Sequence, residues 1–357
     1  MLFNRSILTT VLTSVAAGVL IAGCAGQPVK PVQPAGTGQA TASAPTESKT
    51  LTVITHDSFT LDDATIGKFR TESGYDVKFV APGDAGTVVN QLILTKDAPL
   101  GDVVFGVDNT FAGRAIEAGV LAPYAASALP PAAAKLAADD KPSLTPIDYG
   151  DVCLNADSAW FKANSLAVPE TLDDLLKPEY KDLLVVSNPA SSSPGLAFLA
   201  ATVGAKGEGY LDYWKALKAN GLKVVKGWTE AYTVEFSGSS GKGDRPLVLS
   251  YASSPAYEPA TVALTQTCFR QVEYAGVISG AQNEVGARKF IDFLLSDEVQ
   301  AELPEAMYMH PVKPDVPLPE EWQQHAAEVD APIEVPVAEI SARRDEWIKA
   351  WTATVIG

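Results

Sequence analysis

Short apolar runs alternate with polar segments in the first part of the chain, and this pattern predicts strands and helices in alternation. The predicted strands are residues 51–55, 76–80 and 102–107, because each is rich in β-branched residues or alternates apolar with polar positions. Apolar residues at helical spacing predict helices over residues 62–72 and 87–94. The order strand–helix–strand–helix–strand is typical of an α/β fold with a mostly parallel sheet.

A second α/β series begins near residue 148, and a helix is predicted at the C-terminus. Residues 336–356 place Ile340, Trp347 and Trp351 on one helical face, so this helix is expected to dock on the rest of the protein. The further predicted strands are residues 148–155, 183–186, 222–225, 247–251 and 271–277, with helices that follow Ser193 and cover 210–217.

Two α/β series joined by crossing strands predict two lobes with a ligand cleft between them. This is the α/β fold class of type II periplasmic binding proteins. We assign residues 49–147 together with about 271–315 to lobe 1, and residues 148–270 to lobe 2. Residues 316–357 then form the C-terminal docking helix region.

The first 24 residues have the pattern of an export signal. Arg5 gives a positive start, and residues 7–22 are apolar or small, in a stretch too short and too rich in small residues for a spanning helix. Small residues directly before Cys24 predict a lipoprotein signal over residues 1–23 and a lipidated Cys24; an ordinary secretory signal is the alternative. Residues 24–48 are rich in Pro, Gly, Ala, Ser and Thr, which predicts a flexible linker to a membrane anchor.

Composition and charge narrow the function classes. The 357 residues are 46% hydrophobic and 20% charged, which is typical of a globular protein. Asp and Glu number 43 against 27 Lys and Arg, so the net charge of −16 repels phosphate backbones and argues against nucleic-acid binding. Three cysteines without a CxxC pair and three histidines argue against a zinc or iron–sulfur site.

Two cysteines remain in the folded part of an exported chain. Cys153 and Cys268 both lie in apolar, β-like runs, and such a pair in an oxidising compartment predicts a disulfide. The alternative is that Cys153 is a catalytic nucleophile activated by a nearby acidic residue.

Polar residues follow several predicted strands, at the edge of the sheet where ligands bind in α/β folds. His56, Asp57 and Asp84 lie in two of these loops. Asp108 ends a third strand, where it either attracts a cation or caps the next helix. Residues 191–193 are serines before a predicted helix, and they either hold an oxygen or phosphate group at its N-terminus or serve as a plain cap.

Aromatic residues gather near the ends of two strands in the second series. Trp228 and Tyr232 follow one strand, and Tyr251 and Tyr257 flank the end of another, beside loop-forming Gly, Ser and Pro. Such rings are either ordinary core residues or the faces of a cleft. In a cleft, they would stack on a planar cation, with cation–π contacts of about 0.5–2 kcal/mol each.

Seven segments resemble the thiamine-binding subunits of bacterial ABC transporters, and the similarity runs from about residue 50 to the C-terminus. The spacing of KGWTEAY and SYASSPAY is the most specific feature. The segments are residues 51–59 (LTVITHDSF), 102–109 (DVVFGVDN), 147–150 (IDYG), 188–196 (NPASSSPGL), 226–232 (KGWTEAY), 247–257 (LVLSYASSPAY) and 307–312 (MYMHPV).

The resemblance implies ligand contacts at the residues that match the family's motifs. His56 stands where the family has a tyrosine and Tyr308 where it has a tryptophan, and both keep a flat ring. The loop that contains Asp84 is one residue longer than in the family. The matching positions are Asp84, Ala85, Ser192, Ser193, Trp228, Tyr251, Ala252, Ser253 and Ser254, with Tyr257 and Tyr308 as further aromatic positions.

These observations predict an extracytoplasmic lipoprotein that captures thiamine or its phosphate esters and delivers it to an ABC transporter permease. We expect a monomer without a cofactor, anchored to the cell membrane through its lipid. Three alternatives stay open at this point. The first two are binders of another cation, a polyamine or iron(III), and the third is a thiaminase-like enzyme on the same fold that uses Cys153.

Overall fold

The apolar runs form the strands of a mixed sheet. The computed structural model describes residues 48–240 and 242–357. The predictions for residues 1–47, among them the lipidation site Cys24, lie outside the described residues. Its strands are β1 (Thr50–Ile54), β2 (Asp76–Val80), β3 (Val103–Asp108), β4 (Leu121–Ala122), β5 (Thr145–Asp157), β6 (Leu184–Ser187), β7 (Lys223–Val225), β8 (Leu247–Tyr251), β9 (Thr261–Ile278) and β10 (His310–Pro311).

The helices follow the predicted pattern, and short helical turns join them. No helix in the described part of the chain is long and apolar enough to cross a membrane. The helices are α1 (Asp63–Ser73), α2 (Ala85–Leu94), α3 (Ala112–Glu117), α4 (Ser158–Ala163), α5 (Ser193–Lys206), α6 (Tyr210–Ala219), α7 (Trp228–Glu230), α8 (Glu284–Leu294), α9 (Asp297–Met307), α10 (Glu320–His325) and α11 (Val337–Trp351). Short 3-10 or π turns cover Pro131–Leu136, Asp174–Leu176, Pro178–Tyr180, Gly207–Gly209, Ala231–Glu235, Ser254–Ala256 and Thr352–Ile356.

The described strands pair in the order β2-β1-β3-β9-β5-β8-β6-β7, with β4 on β9 and β10 on β5. β1 is parallel to β2 and β3, and β6 is parallel to β7 and β8. The antiparallel pair β5–β9 separates these two parallel groups. Each parallel group with its helices forms one lobe, so the fold is the two-lobed α/β fold of type II periplasmic binding proteins.

β5 and β9 connect the two lobes. They are 13 and 18 residues long, and they pair from Thr145 opposite Ala275 to Asp157 opposite Thr261. β3 pairs with the C-terminal end of β9, whereas β8 pairs with the C-terminal half of β5. The sequence pattern predicted only the second half of β9, because its first half does not alternate regularly.

A disulfide lies where the register of the crossing pair shifts. Val152 is opposite Phe269, but Leu154 is opposite Leu264, so the register changes at Cys153. Cys153 is bonded to Cys268, 115 residues later, and both are fully buried. The bond therefore links the two crossing strands at the point where the chain passes from one lobe to the other.

The C-terminal helix packs on both lobes. Ile340, Trp347 and Trp351 on α11 are fully buried, and α11 contacts α3 and α6. The ring of Trp351 meets the ring of Trp214 on α6 edge to face, with centroids 5.5 Å apart. The apolar face of this helix, which the spacing predicted, thus holds helices from both lobes together.

The disulfide should contribute strongly to stability. Replacing Cys153 and Cys268 by alanine should lower the free energy of unfolding, by up to about 4–5 kcal/mol, because the bond closes a long loop in the unfolded chain. Urea unfolding of the two proteins measures the difference. Thiol labelling mapped to peptides should find neither cysteine reactive in the folded, non-reduced protein. Equal unfolding midpoints or a labelled Cys153 would contradict the prediction.

Candidate functional site

A pocket lies between the lobes, next to the carboxyl ends of β1 and β8 and the N-terminus of α5. The space inside it is about 510 Å³ with open solvent included, and the cavity volume itself is about 80 Å³. Aromatic, thioether and acidic side chains share its wall. The lining residues are His56, Ser58, Asp84, Ser193, Pro194, Trp228, Tyr251, Glu273, Ala306, Met307, Tyr308 and Met309.

The structure brings six of the predicted ligand residues into this pocket, although they come from distant parts of the chain. Three come from the first lobe and the segment after α9, and three from the second lobe. Those six are His56, Asp84, Ser193, Trp228, Tyr251 and Tyr308. The other eight predicted residues do not line it, and their positions have physical reasons. They are Asp57, Ala85, Asp108, Ser192, Ala252, Ser253, Ser254 and Tyr257.

Three predicted serines are occupied by bonds inside the protein. The Ser192 hydroxyl donates to Ser187 Oγ at 2.8 Å and accepts from the backbone N–H of Gly195, as a helix N-cap does. Ser253 donates to the backbone oxygen of Tyr308 at 2.6 Å. Ser254 accepts from the backbone N–H of Tyr251 at 3.2 Å and shares a hydrogen bond with Ser250. The bonds of Ser253 and Ser254 fix the backbone of the pocket residues Tyr308 and Tyr251.

Four more predicted residues lie outside the pocket: two alanines, one aspartate and one tyrosine. Ala85 and Ala252 are buried beside the pocket residues that precede them, and Asp57 is exposed. The Tyr257 hydroxyl accepts from the indole N–H of Trp322 at 2.6 Å. The ring of Tyr257 lies 4.8 Å from that of Tyr308, so it supports the pocket from behind.

Stacked aromatic rings form one wall of the pocket. The rings of Trp228 and Tyr232 are nearly parallel, with centroids 5.1 Å apart and an angle of 12°. Tyr251 and Tyr308 lie about 6 Å from Trp228 at steep angles. The indole N–H of Trp228 donates to Ser250 Oγ at 3.0 Å, which fixes the ring plane. This wall presents a rigid π-face to any planar group in the pocket.

The Asp84 carboxylate connects the two lobes at the pocket edge. It caps α2 by accepting from the backbone N–H of Ala85 at 2.7 Å. Across the cleft, it accepts from the backbone N–H of Ser193 at 3.3 Å and of Trp228 at 3.1 Å. A carboxylate at two helix N-termini is stabilised by their unpaired N–H groups and dipoles. Asp84 therefore supplies negative charge to the pocket and links the two lobes by hydrogen bonds.

Asp108 is fully buried behind the pocket. One of its oxygens accepts from the backbone N–H and the hydroxyl of Thr110, both at 2.5 Å, and the other accepts from the Ser193 hydroxyl. Asp108 closes the turn before α3 through the backbone N–H groups of Thr110 and Phe111, but the N-cap residue of α3 is Phe111 and not Asp108. That Asp108 attracts a cation stays a prediction. Burial raises the pKa of Asp108 to about 7, against the opposing effect of the bonds from Thr110.

Sequence reasoning missed Glu273, the second carboxylate of the pocket. It lies on β9 and is 4% exposed, and its Oε2 lies 3.5 Å from Nε2 of His56. Burial alone would lower the pKa of His56, but Glu273 and, more weakly, Asp84 outweigh it and raise that pKa. The missed signal was a charged residue at an inward position of a predicted strand.

The other missed lining residues are small or apolar, and nothing in their type distinguishes them from core residues. Met307 and Met309 flank Tyr308 in a segment that carried the family resemblance. Thioethers pack well against aromatic ligands. Within residues 48–240 and 242–357, no group of three or more His, Cys, Asp or Glu side chains is placed to hold a metal ion.

The raised pKa of Asp108 predicts a pH effect on stability. The folded protein holds the proton up to about pH 7, whereas an unfolded aspartate releases it near pH 4. The stability that the neutral carboxyl confers is therefore lost as pH rises through this window. Asp108→Asn keeps a neutral side chain, so its stability relative to the natural protein should rise by about 2–3 kcal/mol from pH 5 to pH 8. Urea unfolding at both pH values tests this, and a constant difference would contradict it.

The chain is similar in sequence to a known protein family and to proteins of known function. Residues 98–331 match the family described as bacterial extracellular solute-binding protein. The thiamine-binding periplasmic protein of Salmonella typhimurium is 30% identical over 318 residues, which cover 85% of this chain and 93% of that protein. The protein of the same name from Brucella suis is 29% identical over 319 residues, covering 85% and 91% of the two chains.

A solved structure agrees with the sequence comparison. A periplasmic thiamin binding protein superposes with a TM-score of 0.75 at 28% identity, covering 86% of this chain and 96% of that one. The likeness spans the two lobes and the crossing strands that hold the pocket between them. The chain therefore belongs to the family of bacterial extracellular solute-binding proteins.

Proposed function

We propose that this protein binds thiamine in the pocket between its lobes and delivers it to the permease of an ABC transporter. The main support for this proposal is that the aromatic rings of Trp228, Tyr251 and Tyr308 line the pocket beside the carboxylate of Asp84. Two relatives whose alignments cover 85% of this chain are named for thiamine binding, which supports the choice of ligand.

The pocket chemistry suits a flat cation. The thiazolium ring of thiamine carries a fixed positive charge, which aromatic faces attract by about 0.5–2 kcal/mol per contact. Asp84 and Glu273 add two carboxylates to the same pocket. Because Asp84 also bonds across the cleft, a cation that it attracts meets both lobes and favours the closed form.

The thiaminase-like alternative loses support from the position of its nucleophile. Cys153 is bonded to Cys268 and so has no free thiol. It is fully buried and is not among the residues that line the pocket. We therefore infer a binding protein without catalytic activity and without a cofactor of its own.

We further propose an extracytoplasmic location, with the protein held at the membrane by lipid on Cys24 and acting as a monomer. The relatives are periplasmic proteins by name. Residues 24–48 are rich in Pro, Gly, Ala, Ser and Thr, which is the composition expected of a linker between a membrane anchor and the folded part.

Ligand titration tests the proposed function. The intrinsic tryptophan fluorescence should change on addition of thiamine at micromolar or lower concentration, since Trp228 lines the pocket. Thiamine monophosphate and diphosphate, spermidine and iron(III) citrate are titrated in parallel. Preferred binding of spermidine or iron(III), with no response to thiamine, would overturn the proposal.

Trp228→Ala should weaken thiamine binding by roughly 10- to 100-fold, through lost stacking and cation–π attraction. Asp84 accepts from the backbone N–H of residue 228, so the variant keeps that bond across the cleft. Trp160→Ala, outside the pocket, is the matched control and should leave affinity unchanged. Melting temperatures of the natural protein and both variants show whether each variant is folded. Unchanged thiamine affinity in Trp228→Ala would show that Trp228 does not contact the ligand.

The proposed anchor is tested separately. Cys24→Ala in the full chain should release the protein from the membrane fraction, because the acceptor for the lipid is gone. Thiamine affinity should stay the same, since the lining of the pocket begins at His56. Fractionation of cells that produce each protein measures this. Unchanged membrane retention of the variant would contradict lipidation at Cys24.

A further inference from the structure

Two buried polar atoms at the floor of the pocket lack hydrogen-bond partners among the described residues. They are Nε2 of His56 and Oε2 of Glu273, which lie 3.5 Å apart as an ion pair without a hydrogen bond between them. His56 is 6% exposed and Glu273 is 4% exposed, and both line the pocket. A buried polar group without a partner costs about 1–3 kcal/mol, so such atoms are rarely left unpaired. A ligand that pairs with both would recover this energy.

The surroundings of His56 determine which nitrogen carries the proton. The backbone N–H of Ser58 donates to Nδ1 at 3.2 Å. The proton of a neutral imidazole therefore lies on Nε2, and in the charged form Nε2 carries one as well. In either state His56 presents an N–H donor at the pocket floor.

The backbone of β3 is shaped to admit the imidazole ring. Gly106 has φ +89°, at the point where the pairing of β3 with β9 shifts register. A Cβ atom at this position would lie 2.1 Å from Cδ2 of His56, so only glycine leaves room for the ring. The position of His56 is thus built into the sheet.

Glu273 is held as an acceptor by its neighbours. Its Oε1 accepts from the side-chain amide of Gln271 at 3.0 Å. Asp148 lies opposite Glu273 in the β5–β9 pair, and burial together with Glu273 raises the pKa of Asp148 well above its usual range. Oε2 of Glu273 has no hydrogen-bond partner among the described residues and can accept one more hydrogen bond.

We propose that His56 and Glu273 form a subsite that reads the edge of an amino-substituted nitrogen heterocycle, with His56 Nε2–H donating to a ring nitrogen and Glu273 Oε2 accepting from the amino group. An aminopyrimidine offers this acceptor next to this donor. The inference rests on the proposed binding of thiamine, whose uncharged ring is an aminopyrimidine. It assigns that ring to the polar floor and leaves the aromatic wall to the cationic ring.

The test compares thiamine with its 4-oxo analogue, oxythiamine, in which an oxygen acceptor replaces the amino donor. The natural protein should bind thiamine at least roughly tenfold more tightly, because the oxygen faces the Glu273 carboxylate. Glu273→Gln can donate to that oxygen, so it should weaken thiamine binding and shrink the preference. Calorimetric titration of both compounds gives the ratio.

Glu305→Gln is the matched control, because it removes the same charge from an exposed residue outside the pocket. It should leave the ratio of the two affinities unchanged. His56→Phe keeps a flat ring without the donor, and it should weaken thiamine by roughly tenfold. This second variant decides the proposal if Glu273→Gln does not fold.

The outcomes separate the two claims. If the natural protein binds no thiamine, the proposed function fails, and the subsite fails with it. If thiamine binds but the ratio stays the same in Glu273→Gln, or His56→Phe binds thiamine as well as the natural protein, the subsite alone is overturned. A reduced ratio in Glu273→Gln with an unchanged ratio in Glu305→Gln supports it.

Discussion

The antiparallel pairing of β5 with β9 is the constraint on which the rest of the structure depends. Both parallel groups hydrogen-bond to this pair, β3 along β9 and β8 along β5. Buried backbone groups must be paired, so the register of the two strands determines how the lobes face each other. The disulfide of Cys153 with Cys268 links the strands where the register changes. Asp148 and Glu273 face each other in the same pair, so the connection between the lobes is also the pocket floor.

The pocket combines two surfaces of different chemistry. Trp228 and its neighbouring rings offer a π-face, whereas His56 and Glu273 offer hydrogen bonds in a buried setting. A ligand with a cationic aromatic ring and a second, hydrogen-bonding ring complements both surfaces at once. Asp84 adds charge and joins the lobes through backbone N–H groups. The Ser193 hydroxyl adds a side-chain hydrogen bond between the lobes, to Asp108.

Several residues that a family motif marks are hydrogen-bonded within the protein itself. Ser192 caps α5, and Ser254 accepts from the backbone of Tyr251. Asp108 receives the Ser193 hydroxyl from behind the pocket. Each of these groups is buried and already hydrogen-bonded within the protein, so it stabilises the shape of the site. A motif match alone does not separate these residues from those that reach the pocket.

The sequence by itself determined the local elements and the cysteine pair. The alternation of apolar and polar positions acts over a few residues, which is why the bounds of β2 and β8 followed from the pattern. Two cysteines in the folded part allow only one intramolecular bond. Tertiary structure decided which polar groups reach the pocket. Glu273 lines it while Asp108 lies behind it, because strand orientation and hydrogen bonds between residues more than 80 positions apart decide where each carboxylate points.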